Sequence, residues 1–232
     1  MFKNRSLELE LIDTGDYTPE EYEGFLREIR LINRWLGDTA ALKNTLLREI
    51  ESEDIRQFSV LDVGAGSGEL LRVAAKWARK QKKRASFFGL ELNPRSARAI
   101  LEESKNFSEI SSIRGDALNL PFADESFDYT ICSLFTHHFR DEAVVKILGE
   151  MSRVTRRRIF VIDLHRNPTA YFFYTRFATL VLKNRLVRQD GALSILRSFV
   201  PEELEKLAKQ AGLKEVSVTK HFPSRLVLSG KT

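Results

Sequence analysis

The densest chemistry in this chain sits in Val60-Leu61-Asp62-Val63-Gly64-Ala65-Gly66-Ser67-Gly68. An apolar run carrying an acid breaks into glycines at every second position. Such a turn brings bare backbone and a helix N-terminus close to a ligand. The nicotinamide fingerprint needs G-x-G-x-x-G and a phosphate loop needs G-x-x-x-x-G-K-[ST]. Neither fits. The acid Asp62 would repel a pyrophosphate and suits an ammonium or sulfonium cation. The plain alternative is a tight turn that holds nothing.

Three further groups accompany it. Glu91 follows roughly twenty residues later, where a carboxylate can accept both hydroxyls of a ribose. Its alternative is an exposed acid at a strand end. Asp116, in Arg114-Gly115-Asp116-Ala117-Leu118-Asn119-Leu120-Pro121-Phe122, either meets a ligand or forms an Asx turn. The run Cys132-Ser133-Leu134-Phe135-Thr136-His137-His138-Phe139 puts two imidazoles after an apolar strand, and Asp163-Leu164-His165 repeats the arrangement. A neutral imidazole there could take a proton from a phenol or enol near pH 7. His138 is preferred over His137, with His165 as a second candidate. Cys132, inside an apolar run, reads as a core thiol. No ligand spacing on one element supports a metal.

These residues need a scaffold, and the periodicity supplies one. Strands are expected at 58–63, 85–91, 110–114, 127–134 and 158–163. Helices are expected at 69–79, from Asn93-Pro94 through Ser104, at 142–154 and at 201–211. Alternation of this kind argues a parallel sheet with right-handed crossovers. The tail changes rhythm. Val216, Val218 and His221 lead through Pro223-Ser224 into Leu226–Leu228, which reads as a hairpin.

Ahead of the first strand, Leu7, Leu9 and Leu11 alternate with Glu8 and Glu10, as an edge strand or a packed arm. Thr18-Pro19-Glu20-Glu21 opens a helix with Phe25, Ile29, Ile32 and Leu36 on one stripe, and Asp38 or Thr39 caps a second. Two such helices read as a cap over the glycine turn. Thr169–Leu186, rich in Tyr171, Phe172, Phe173, Tyr174 and Phe177, reads as a lid walling an apolar pocket or as a core helix, with a membrane-surface role as a third option. Arg188-Gln189-Asp190-Gly191 reads as a turn.

Composition bounds the rest. The chain has 232 residues, 43% hydrophobic and 30% charged, with net charge +5 and a single cysteine. That suits one α/β domain in a reducing, cytoplasmic compartment, without a disulfide framework. No signal-peptide core or bilayer-spanning run is evident. The clusters at 79–84 and 156–158 are either a nucleic-acid patch or solvated cations between a helix and the next strand, and the second reading is favoured.

Taken together, the glycine turn, Glu91, the Gly115-Asp116-Ala117-x-x-Leu120-Pro121-Phe122 segment and Phe127-Asp128-Tyr129 resemble class I S-adenosylmethionine (SAM) methyltransferases. Leu31-Ile32-Asn33-Arg34-Trp35-Leu36-Gly37, Asp163-Leu164-His165-Arg166 and Arg188-Gln189-Asp190-Gly191 are similar to methyltransferases encoded beside type III polyketide synthases, relatives of the ubiquinone/menaquinone-type enzymes. The resemblance implies a Rossmann-like, seven-stranded, mostly parallel sheet with one antiparallel C-terminal strand, helices on both faces and an N-terminal helical cap. It implies a cap over 1–56 and a core over 57–232, with the aromatic lid at 168–198. It implies SAM held by Asp62, Gly64, Ala65, Gly66, Gly68, Glu91, Leu92, Asp116, Ala117 and Ser133, with Arg34 pairing with the SAM carboxylate. The expected reaction is methyl transfer to an oxygen or carbon of a small phenolic, quinone-like or polyketide-derived acceptor. An RNA methyltransferase and a non-catalytic SAM-binding protein are the alternatives. Nucleic acid and stable membrane insertion are not expected as partners.

Overall fold

Seven strands carry the molecule, in the order β3-β2-β1-β4-β5-β7-β6. The computed structural model describes residues 2–35 and 37–232, with side-chain surroundings for all of these except 30–35 and 178–181. The chain begins with an arm, a single turn α1 (Leu11–Thr14), and helices α2 (Pro19–Trp35) and α3 (Asp38–Leu42). A five-residue π-helical stretch (Lys43–Leu47) joins α3 to α4 (Arg48–Ser52). The alternating body then runs β1 (Gln57–Val63), α5 (Glu69–Lys80), β2 (Arg84–Glu91), α6 (Pro94–Glu103), β3 (Ile110–Arg114), β4 (Phe127–Ser133), α7 (Asp141–Arg153) and β5 (Thr155–Leu164). Helices α8 (Pro168–Val181) and α9 (Arg185–Arg197) are inserted before α10 (Pro201–Gln210), β6 (Lys214–His221) and β7 (Arg225–Lys231).

Strands β1 to β5 pair in parallel, and β7 runs antiparallel between β5 and β6. Alternation sends neighbouring residues to opposite faces. Leu61, Val63, Ile159, Val161, Leu226 and Leu228 meet α7 and α10 on one side. Val60, Phe160, Ile162 and Val227 meet α3 through α6 on the other. The 38–52 segment is part of that second layer, with Ala41, Leu42, Leu46, Leu47 and Ile50 buried in it. Among the described residues, no helix is long and apolar enough to cross a membrane.

Of the two readings of residues 6–17, the structure has the packed arm, which carries α1; Ser6 bonds to Leu196 of α9 and Asp190 of α9 accepts the Leu11 and Ile12 amides at 2.8 and 3.0 Å. Two expectations need correction. Arg188-Gln189-Asp190-Gly191 is not a turn but the interior of α9. Its glycine serves close packing: a Cβ there would lie 2.0 Å from the Tyr174 hydroxyl of α8. The 156–158 cluster lies inside β5 rather than before it, because pairing with β4 already begins at Thr155.

Candidate functional site

The glycine turn forms where β1 reaches its carboxyl end. Gly64 and Gly66 hold φ of +72° and +57°, which an L side chain rarely adopts. They are glycines for different reasons. A Cβ on Gly64 would stand 2.4 Å from the Phe135 ring, whereas a Cβ on Gly66 would meet nothing within 4 Å. Gly66 thus borders open space. Gly68 caps α5, and Ala65 donates to the Leu90 carbonyl at 3.2 Å, fastening the turn to β2.

Two carboxylates converge on this turn. The Glu91 Oε1 atom accepts from the Gly66 amide at 2.6 Å. Burial pushes its carboxyl up to about 7. Asp62 is 2% exposed, and its Oδ1 has no hydrogen-bond partner. Burial, then the neighbouring Glu91, push it up to about 8. Asp62 is buried with an orphaned oxygen and feels the charge of half-buried Glu91, so the pair lacks a neutralising cation. An adenosyl sulfonium bearing an ammonium and two ribose hydroxyls has what they lack, so the residues present fit it.

The other expected contacts are spread around this edge. Asp116 is exposed, and its Oδ1 accepts from the Leu118 amide at 2.9 Å in an Asx turn. Ala117 beside it is buried. Leu92 is 64% exposed, just beyond Glu91. Ser133 ends β4, half-buried. Arg34 lies outside the residues whose side chains are described. One neighbour was not legible in the sequence. Tyr22 of α2 is buried, bonds Ser96 of α6 at 2.6 Å and lies close enough to feel the Glu91 charge. It stacks between Tyr17 and Phe25. In the sequence it stands three residues before Phe25, on the apolar stripe of the helix, with nothing local to point to Ser96 or Glu91.

The three candidate histidines separate into three environments. After β4, Leu134 takes φ +50°, a strained turn that sets the Phe135 ring on Gly64. His137 follows, 3% exposed, with Nδ1 2.6 Å from Asp163 Oδ1. Burial would raise the Asp163 carboxyl, but the His137 ring, the Thr136 hydroxyl and the Leu164 amide hold it well below the usual range. His138 is 21% exposed, with Nδ1 2.8 Å from Asp13 Oδ1. His165 turns elsewhere. Its amide donates to Ser224, and its charged neighbours are Lys220 of β6, Glu202 of α10 and Arg166. His165 stands one residue beyond β5, two strands from β1, and these neighbours belong to β6, α10 and the β6–β7 turn rather than to the glycine turn.

Over His137 and His138 lies the arm. Glu10 places Oε1 3.8 Å from His137 Nε2 and Oε2 3.9 Å from His138 Nδ1. Burial pushes the Glu10 carboxyl up to about 7. These three residues bring ligand-capable atoms within 4.8 Å of one another, from two elements far apart in sequence. The Arg197 guanidinium stands 3.6 Å from the same Glu10 oxygen and donates to Asp13 at 2.8 Å and to the Glu8 carbonyl at 2.7 Å. That fixed cation supplies the positive charge the cluster calls for. Glu10, Asp13 and Arg197 were missed because only the fold brings the arm to α9.

The basic clusters sit at the opposite edge, where β2 and β5 begin, and much of their charge is paired. Arg79 meets Glu109 at 2.6 Å, Arg157 meets Glu53 at 3.3 Å and Arg158 meets Glu49 at 3.1 Å. Cys132 is fully buried, and burial pushes its thiol up, as suits a core residue.

The chain is similar to several known proteins. Residues 60–158 match a family model described as a methyltransferase domain. The chain is 26% identical over 170 residues to a demethylmenaquinone methyltransferase of Bacillus licheniformis, covering 68% of this chain and 71% of that protein. It is 27% identical over 198 residues to a phthiotriol/phenolphthiotriol dimycocerosates methyltransferase of Mycobacterium tuberculosis, covering 81% of this chain and 64% of that one. In fold it is similar to a SAM-dependent methyltransferase from Aquifex aeolicus, with TM-score 0.58 and 15% identity over 87% of this chain and 97% of that structure.

Proposed function

We propose that this chain, which carries a class I SAM-dependent methyltransferase domain, transfers a methyl group to an oxygen or carbon of a small apolar acceptor of phenolic, quinone-like or polyketide-derived type. The observation that carries the reading is the electronegative turn: Asp62 with its orphaned oxygen, and Glu91 held by Gly66, around the open space at Gly66. The names of the relatives, which refer to a quinone and to phenolic lipid esters, support the acceptor class.

Bound SAM supplies an electrophilic methyl on a cationic sulfur. The protein's part is placement, which can lower a barrier by several kcal/mol. Glu91 accepts the ribose hydroxyls while the Gly66 amide keeps its carboxylate aimed. Asp62 offsets the positive charge of the amino acid end. Asp116 and Ala117 serve the adenine. Asp13 holds the Nδ1–H of His138, which leaves Nε2 as the lone pair that takes the acceptor's proton. His137, locked between Asp163 and Glu10, fixes the loop that presents its neighbour.

Titration calorimetry with SAM tests the cofactor site, and transfer of labelled methyl to a panel of naphthols, quinols and acyl phenols tests the acceptor class. Saturable binding with transfer to that panel is expected. Failure to bind SAM would end the reading, and binding with transfer only to RNA would replace its acceptor.

A further inference from the structure

Helix α8 shows solvent a face that a soluble protein usually hides. Phe172, Phe173 and Phe177 are 58, 55 and 54% exposed. They form one ridge: Phe172 meets Phe173 edge-on and Phe173 stacks on Phe177, each pair 5.9 Å between centroids. The opposite side of α8 is anchored. Tyr174 donates to the Val187 carbonyl of α9, and Tyr171 packs on Phe2. At the same edge of the sheet, the β6–β7 turn lifts Phe222 to 91% exposure, and Asn167 at the start of α8 bonds Ser224 of that turn at 2.9 Å.

Charge around the ridge is one-sided. From Leu164 to Gln189 the chain has no Asp or Glu, although 32 of its 232 residues are acidic. The same stretch carries Arg166, Arg176, Lys183, Arg185 and Arg188. Arg166 is buried against Glu203 and Arg185 pairs with Glu21. Arg176, Lys183 and Arg188 are exposed and make no ion pair among the described residues. The α2 acids that approach this face are taken: Glu21 by Arg185, and Glu28 by the Lys183 and Asn184 amides.

We propose that α8 and the β6–β7 turn form a docking face for an anionic lipid bilayer, with the phenylalanines entering the interfacial layer and the cations meeting lipid headgroups. Aromatic side chains with flanking cations, on a helix of 14 residues that is too short to span, match the chemistry of an interfacial helix. A second copy of the chain fits this face less well, because a two-fold contact would set the same unpaired cations against each other. The inference rests on the exposed face and not on the acceptor reading.

Sedimentation with phosphatidylcholine vesicles, with and without phosphatidylglycerol, tests it on the full chain. Binding that depends on phosphatidylglycerol and weakens at high salt is expected. The triple change Phe172→Ser, Phe173→Ser, Phe177→Ser should weaken binding by more than about tenfold, since each ring gives up apolar burial. Arg176→Glu should weaken it roughly fivefold or more, the scale of one basic residue at an anionic surface. Circular dichroism and SAM calorimetry on each variant check that the fold is kept. No binding to the anionic vesicles by the unaltered chain would overturn the proposal. So would vesicle binding that survives the triple change in folded protein, or a dimer that the triple change dissolves with no vesicle binding.

Discussion

At the scale of single residues, the glycine turn and the histidine loop make separable claims. Glu91→Ala removes the carboxylate held by Gly66 and should weaken SAM binding by about 1–3 kcal/mol, the cost of unmet polar partners. Asp116→Ala should weaken it less, since that side chain is exposed. Calorimetry reads both. pH adds a second handle. Burial raises the Asp62 and Glu91 carboxyls to about 8 and about 7, well above the usual carboxylate range. The folded protein therefore keeps protons that the unfolded chain releases, and stability falls as pH rises through that window. A cationic ligand favours the ionised carboxylates. SAM affinity should rise with pH toward about 8, with protons released on binding, and calorimetry in buffers of different ionisation enthalpy measures the release. Constant affinity across that range would contradict the pairing of Asp62 with a cation. His138→Ala should abolish most turnover at unchanged SAM affinity, while His165→Ala should leave both intact. Loss of turnover in the second variant alone would move the base to the end of β5.

At the scale of elements, two tests concern how backbone segments are held. Gly64→Ala and Gly66→Ala share a left-handed backbone but not a neighbourhood. The first must also displace Phe135 and should cost about 1–3 kcal/mol beyond the backbone strain, read by urea denaturation. The second meets open space, so it should cost only the backbone strain yet bind SAM poorly. The arm offers the other test. Asp190 accepts two amides at the start of α1, and its loss should free the arm from α9. Limited proteolysis of Asp190→Ala should cut before residue 18 sooner than in the unaltered chain, and turnover should fall with the displaced Asp13 and Glu10. An unchanged cleavage rate would show that Arg5, Ser6 and Arg197 hold the arm without it.

At the scale of the whole molecule, the N-terminal helices and the C-terminal hairpin are joined by one buried ion pair. Arg225 of β7 and Asp38 of α3 are 2% and 1% exposed, with Nε to Oδ1 at 2.7 Å and Nη2 to Oδ2 at 3.1 Å. Removing one partner strands a buried charge, so Arg225→Ala should cost about 3–5 kcal/mol by chemical denaturation. Asp38→Ala combined with it should recover part of that loss. Additive costs would mean that the two side chains act independently.

Much of the sheet was legible because its strands and helices announce themselves by period: β3 covers the 110–114 stretch expected of it, and Asn93-Pro94 caps α6 as a local sequence must. The glycine turn and Glu91 were legible for the same reason, since a β-strand, a turn and a second strand in parallel register bring their carboxyl ends together without help from distant residues. Arg188–Gly191 misled because a glycine in a helix looks like a break until Tyr174 is seen to need its space. Glu10, Asp13 and Arg197 carried no signal at all, because their meeting over His137 and His138 depends on the arm crossing to α9. Local pattern determined most of the elements, the sheet and the glycine turn. Only tertiary packing decided which imidazole is sealed, which is aimed, and which faces of the insertion remain in water, because those outcomes depend on contacts between residues that no short-range period relates.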